Sequence, residues 1–215
     1  MNALRKVARR ELAVFFATPA AFIFFGAYLV ATLFIFFWVE TFFSRNIADV
    51  RPMFEWAPLL LIFLSAAVTM RVWSEEHRAG TLEPLLAAPV SLPALVGGKF
   101  VACLSLVAIG LALTLPLPIT VSFLGQLDWG PVFGGYLASL FLAGAYIAIG
   151  LCVSAQFNSQ IVSLIVTTLI CSVLYMLGSD TLTGFFGNRG GELLKLLGAG
   201  SRFSAITRGV IDMRD

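Results

Sequence analysis

The sequence predicts an all-α polytopic membrane protein, and three observations carry that reading. Hydrophobic residues make up 59% of the 215 and charged residues 12%, against about 45–50% and about 25% in an ordinary soluble domain. The apolar residues gather into long runs without Asp, Glu, Lys or Arg, at 12–39, 56–70, 100–127 and 129–179. Lys and Arg collect at the ends of those runs, where polar headgroups meet them. A water-soluble globule is excluded. A spanning helix takes about 20 residues, so the chain holds several spans and no large soluble domain, and any catalytic engine belongs to another chain. Fourteen Lys and Arg against twelve Asp and Glu give +2, too balanced for a nucleic-acid binder. Cys103, Cys152 and Cys171 lie inside apolar runs, where a thiol behaves as a small hydrophobe, so neither a disulfide framework nor a zinc site is implied.

Residues 1–18 form the first element. Leu4, Val7, Ala8, Leu12 and Phe15 recur at helical spacing, with Arg5, Lys6, Arg9 and Arg10 on the other side, the pattern of an amphipathic helix lying in the membrane interface. Each base gains about 1 kcal/mol from anionic headgroups. The helix reads either as a positive-inside anchor or as an elbow that couples lateral motion to the spans. The uncharged run that follows is too long for a signal-peptide core and lacks a small-residue cleavage site; it is a retained span.

Pro19 ends the lead-in, and 20–39 makes the first span, rich in Phe. The run 56–70 has only 15 residues, so the second span, 56–73, recruits flanking residues while Glu55 and Arg71 reach the interfaces. The third span, 100–123, meets Pro116 and Pro118 near its far end, where proline bends or terminates a helix. The 51 uncharged residues 129–179 would make a helix of about 76 Å against a hydrocarbon core of about 30 Å. They must fold back once, at the polar cluster 154–160, leaving spans 131–153 and 161–177. After Gly178 glycines interrupt short apolar pieces, so 178–215 reads as an outer re-entrant or interfacial segment.

Five spans put the chain ends on opposite sides of the membrane. The N-terminal segment and the loop between spans two and three carry seven Lys and Arg, against two in the opposing loops. That asymmetry predicts a cytoplasmic N-terminus in the cell's inner membrane. The five basic residues from Arg189 to Arg214 would even the count, but the first span usually dominates orientation.

The cytoplasmic loop 70–91 is the most informative stretch. Gly80 can end one helix and Thr81 cap the next. Glu83 is favourable at a helix's positive end, Pro84 is tolerable in the first turn, and Pro89 forces a stop. A short helix, 82–88, results, with Leu82, Leu85 and Leu86 on its apolar side. Ser91 and Pro93 restart a helix that runs through Lys99 into the third span. The physics alone also fits an ordinary solvated loop.

The order of residues says more. Met70-Arg71, Ser74-Glu75-Glu76, Arg78, Gly80-Thr81, Glu83, Leu85-Leu86, Pro89-Val90-Ser91 and Gly98-Lys99-Phe100 together resemble the cytoplasmic loop of ABC-2 type transporter permeases. Within that superfamily the chain is similar to gliding-motility-type (GldF-like) and copper-processing-type (NosY-like) permeases. Further matches are Thr18-Pro19, Trp56-Ala57-Pro58, the segment 124–130 and Arg208-Gly209-Val210-Ile211-Asp212. The resemblance covers essentially the whole chain and is specific in combination.

It implies a permease subunit whose short helix docks in a groove of a separate cytoplasmic ATPase and transmits its closure to the spans. The implied coupling residues are Arg71, Glu75, Glu76, Arg78, Gly80, Thr81, Leu82, Glu83, Leu85 and Leu86. The implied partners are that ATPase, a second copy or a homologous permease, and the lipid bilayer. This chain has no cofactor of its own, with ATP and magnesium held by the ATPase. Pro84 departs from the family pattern, where a helix-friendly residue is commoner, and puts the start of the coupling helix in doubt. In the family a sixth span follows the Arg-Gly-Val-Ile-Asp segment, so the sequence is expected to be truncated or to continue past Asp215, ahead of a five-span permease.

Catalytic and metal sites are not expected. Gly97-Gly98-Lys99 is followed by Phe100, not the Ser or Thr of a phosphate loop. His77 is the single histidine and has no nucleophile beside it. Glu75 and Glu76 point about 100° apart on a helix and make no acid/base pair. Gly134, Gly135, Gly144 and Gly150, with Ala138, Ala145 and Ala148, offer small surfaces to helix packing within the chain or to a dimer face. No acidic or basic residue lies deep in the five spans. An ion-driven transporter usually places one there, so energy is expected from outside the membrane and the substrate path is expected to be apolar or hydroxyl-lined. The alternative function is a non-transporting anchor or assembly factor that docks a cytoplasmic protein through the 70–99 loop. An intramembrane enzyme is disfavoured.

Overall fold

The computed structural model describes residues 3–45, 47, 49–87, 90–177, 200 and 203, and the rest of the expected outer segment 178–215 lies outside the described residues. The regular structure among the described residues is all helical, without strands, and five helical stretches are long and apolar enough to cross a membrane. The expected all-α polytopic architecture holds. In chain order the elements are α1 (Ala3–Phe16), α2 (Pro19–Phe34), a π-helical turn (Ile35–Val39), α3 (Phe42–Arg45), α4 (Arg51–Thr69), α5 (Ser74–Ala79), α6 (Leu82–Ala87), α7 (Leu92–Ala112), α8 (Pro116–Leu124), α9 (Trp129–Ser154) and α10 (Gln160–Leu177).

Prolines set the ends of two crossings. The second crossing begins at Arg51, because Pro52 is pre-set for a first helical turn and Pro58 is accommodated within the helix. The third begins at Leu92, eight residues before the uncharged run, because Pro93 fits the first turn in the same way. Its far end breaks at Leu113–Leu115, just before Pro116, and resumes as α8. Proline has no N–H to continue the ladder there.

Lipid tails are as apolar as leucine, so close packing rather than water exclusion holds such helices together. The α4–α9 contact shows how. A Cβ on Gly135 would stand 2.7 Å from the Phe54 ring, and one on Gly150 would overlap Thr69 Oγ1. Gly135 and Gly150 therefore pack inside the chain. Phe133, Leu137, Phe141, Ala145 and Ala148 are exposed on the other side of α9. The helix is thus small inward and bulky outward in its first half, the reverse of a soluble helix and suited to a lipid surround.

Helix α1 does not lie free in the interface. Its apolar side packs along α7 at Gly97 and Gly98, where a Cβ on Gly98 would fall 2.7 Å from Val7 Cβ and 3.0 Å from the Leu4 carbonyl. The two glycines that fail as a phosphate loop are a helix-crossing point. Ala8 and Phe15 are buried, while Arg5, Lys6, Arg9 and Arg10 remain exposed.

Candidate coupling site

The loop between α4 and α7 is anchored at its root. Met70 to Trp73 turn the chain, and α5 starts with its first donors facing α9: Ser154 Oγ accepts from Trp73 N at 3.2 Å and from Ser74 N at 3.3 Å. The first N–H groups of a helix have no partner inside it, and here a serine from another helix supplies one. Ser154 Oγ also lies 3.3 Å from the Met70 carbonyl, which Ser74 Oγ reaches as well. Gly150, one turn earlier on α9, is what lets α4 approach closely enough.

The second anchor is Lys99. The helix restarted at Ser91 and Pro93 runs through it as expected, and it sits two turns into α7, fully buried. The helix starts earlier than the uncharged run, and the lysine has a complete set of partners. Its Nζ donates to Glu76 Oε1 at 2.9 Å, to the Val72 carbonyl at 2.9 Å and to Glu11 Oε1 at 3.2 Å, which accounts for all three ammonium hydrogens. The charge also lies 4.5 Å from the centre of the Trp73 ring, within cation–π range. Glu11 and Lys99 were not among the expected coupling residues. The signal was present in each: Glu11 is the single acid of α1, and Lys99 belongs to the Gly-Lys-Phe piece of the motif.

Arg71 makes the third anchor. Its Nε meets Glu75 Oε2 at 3.2 Å and its guanidinium donates to Thr18 Oγ1 at 3.0 Å. Thr18 in turn bonds the Phe15 carbonyl at 2.8 Å, so the loop is tied to the junction of α1 and α2.

The tip is built differently. Gly80 takes the left-handed conformation, φ 66° and ψ 17°. Gly80 N bonds the His77 carbonyl at 3.2 Å and Thr81 N bonds the Glu76 carbonyl at 3.1 Å, the paired bonds of a Schellman ending. Gly80 thus ends α5 as its position requires. Thr81 does not cap α6 with its side chain; the hydroxyl reaches back toward the Glu76 carbonyl at 3.5 Å, because the Schellman turn points it that way. Arg78, Thr81, Glu83 and Pro84 are exposed. Leu82 and Leu85 are half-buried and pack on the chain's own core, while the Leu86 side chain lies outside the described residues. His77 is half-buried in α5.

Nine of the ten expected residues, all but Leu86, therefore divide. Arg71, Glu75 and Glu76 form a root with Glu11, Lys99 and Ser154, and Arg78, Gly80, Thr81 and Glu83 form an outward tip, with Leu82 and Leu85 holding α6 down. The sequence model of the ABC-2 family transporter protein matches residues 47–190, two-thirds of the chain, including the whole loop and four of the five crossings. The chain belongs to the ABC-2 transporter family. As an ABC-2 permease it is a multi-pass membrane component of an ABC transporter. Neither a curated protein nor a solved structure matches it significantly. The matched region of the permease excludes α1, so Glu11 enters the root cluster from outside it.

Proposed function

We propose that this permease converts ATP hydrolysis by a separate cytoplasmic ATPase subunit, which holds the ATP and magnesium, into movement of a substrate across or out of the bilayer. The α5–Gly80–α6 unit is the docking element. One observation carries the reading: an exposed polar tip is fastened through a saturated Lys99 cluster to α1 and α7, and through Ser154 to α9. A push on the tip is thereby delivered to three membrane-associated helices at once. Arg5, Lys6, Arg9 and Arg10 hold α1 against an anionic surface, with the N-terminus in the cytoplasm and the protein in the inner membrane, and α1 acts as an elbow. Two permease copies, or this chain and a homologue, complete the transporter, and the gliding-motility and copper-processing permeases are the relatives whose motif order it shares.

Buried hydroxyls of Ser65, Ser139, Tyr146, Ser163 and Thr167 have no hydrogen-bond partner among the described residues and lie on α4, α9 and α10, which pack together. That seam is the candidate hydroxyl-lined substrate path.

The test is co-purification with the ATPase and its permease-dependent turnover. Arg78→Glu and Glu83→Arg, both on the tip, are expected to abolish both. Unchanged association and turnover would remove the docking role from this loop. Loss of association with an ATPase turnover that does not depend on the permease would favour an anchoring protein instead.

A further inference from the structure

The first crossing ends, on the side of the membrane away from the loop root, in a strained turn. Among the described residues two have positive φ: Gly80, where the turn at the tip requires it, and Thr41, at 45°. For a β-branched residue that conformation is a genuine outlier, because Cβ crowds the following carbonyl oxygen. The helix leading into it is irregular as well. Ile35–Val39 form a π-helical turn, closed by Glu40 N on the Ile35 carbonyl at 2.9 Å, and such wide turns are rare and concentrated at functional positions.

Backbone strain persists only where the surroundings over-determine it, and two contacts do so here. Phe42 is turned back so that its ring centre lies 4.9 Å from that of Phe36, and both are buried. Glu40 Oε1 accepts from Trp56 Nε1 of α4 at 2.8 Å, while Oε2 pairs with Arg45. These holds differ in kind. The rings and Arg45 belong to the turn itself and move with it, whereas the Glu40–Trp56 bond reaches across to the second crossing. Beside that bond lies a cavity of about 80 Å³, with Glu40, Arg45 and Asp49 on its walls. It is polar and roomy enough for water, which can replace an indole donor on a carboxylate. Trp56 also sits on the helix that ends at the loop root, about 20 Å from Thr69 at 1.5 Å per residue, so one rigid element joins the two places.

We propose that this turn is a latch between the first and second crossings, held shut by the Glu40–Trp56 bond and strained toward opening at Thr41. When the bond breaks, Thr41 relaxes to negative φ and the end of the first crossing swings away from α4. A threonine where glycine or asparagine would sit with less strain leaves the closed form less stable than it could be, as suits a latch that must open.

The experiment follows amide hydrogen exchange across residues 35–45 in the full-length permease, purified in detergent without any ATPase. The amides of Glu40 and Ser44 close the turn and report its opening. Trp56→Phe keeps a ring and removes the donor, and is expected to speed their exchange by about tenfold or more. Arg45→Gln, at an exposed residue, is expected to speed it less, because a solvent-screened pair contributes little. Thr41→Asn, also at an exposed position, tolerates the left-handed conformation and is expected to slow exchange by about fivefold. Thr41→Val keeps the branched side chain and its strain, and is expected to leave exchange unchanged. Exchange in folded Trp56→Phe no faster than in the parent overturns the latch. Exchange in Thr41→Asn as fast as in the parent overturns the stored strain, as does equal slowing by Thr41→Val, which would trace the effect to the lost hydroxyl. Because no ATPase is present, neither result bears on the docking role of the tip.

Discussion

In the root of the loop, Arg71 pairs with Glu75 and Thr18, Glu76 pairs with Lys99 of α7, Ser154 of α9 holds the start of α5, and the central cation is fully buried. In the tip, less than ten residues away, Arg78, Thr81 and Glu83 face outward and the backbone is shaped by one glycine and its two turn bonds. Both stretches carry the same kinds of residue. The difference lies in what stands opposite them, and it separates charges that hold the fold from charges free to meet another protein. Substitutions in the root should cost stability, whereas substitutions in the tip should cost association.

The largest effect is expected at Lys99. Replacing it with Met leaves Glu11 and Glu76 facing each other without a cation. Removing one partner of a buried ion pair costs about 3–5 kcal/mol, and the lower end applies because the Glu11 and Glu76 side chains keep 21% and 17% exposure. The loss is read from the unfolding midpoint in detergent. Adding Glu11→Gln and Glu76→Gln should recover most of it, since a neutral cluster leaves no uncompensated charge. A Lys99→Met protein as stable as the parent would show that the cluster does not hold the root.

Ser154→Ala comes next. Trp73 N and Ser74 N would lose their acceptor inside a buried junction, at about 1–2 kcal/mol. Hydrogen exchange should speed up at residues 73–75 and stay slow at the neighbouring turns of α9. Uniform exchange across both would mean that α5 is not fastened there.

Much of this division was legible before the structure. The five crossings, the fold-back after Ser154 and the Gly80 turn follow from run lengths and glycine chemistry. The helix through Lys99 was legible from Ser91 and Pro93, but the burial of its charge was not. A lysine can stay there only with three acceptors converging on it, and two of them, Glu11 and Glu76, are 88 and 23 residues away. Periodicity along one helix contains no trace of that convergence. The same limit applied to Gly135 and Gly150: their smallness was plain in the sequence, but its use against Phe54 and Thr69 depends on which helix is the neighbour.

A smaller effect is expected at Gly80, in the tip. Its φ of 66° costs an L-residue about 1–2 kcal/mol, and no atom lies within 4 Å of an added Cβ, so Gly80→Ala is strained by conformation alone. About 1 kcal/mol should appear as fraying of α5 and α6 and partial loss of ATPase association. Gly80→Asn, which tolerates this conformation better, should restore part of both. Equal behaviour of the Ala and Asn variants would show that the turn is not what presents the tip.

The smallest stability effect is expected from the charge reversals Arg78→Glu and Glu83→Arg. Neither residue makes an ion pair or a side-chain hydrogen bond among the described residues, so each should shift stability by no more than about 0.5 kcal/mol. Their effect on the ATPase should be large, since reversing a charge across an interface replaces attraction with repulsion. The two readouts together sharpen the contrast with Lys99→Met, because a stable protein that no longer binds and an unstable one that still does cannot be explained by one shared defect. If Glu83→Arg instead lowered the unfolding midpoint as much as Ser154→Ala, the tip would be part of the packed structure and the boundary between the two regions would have to move toward α6.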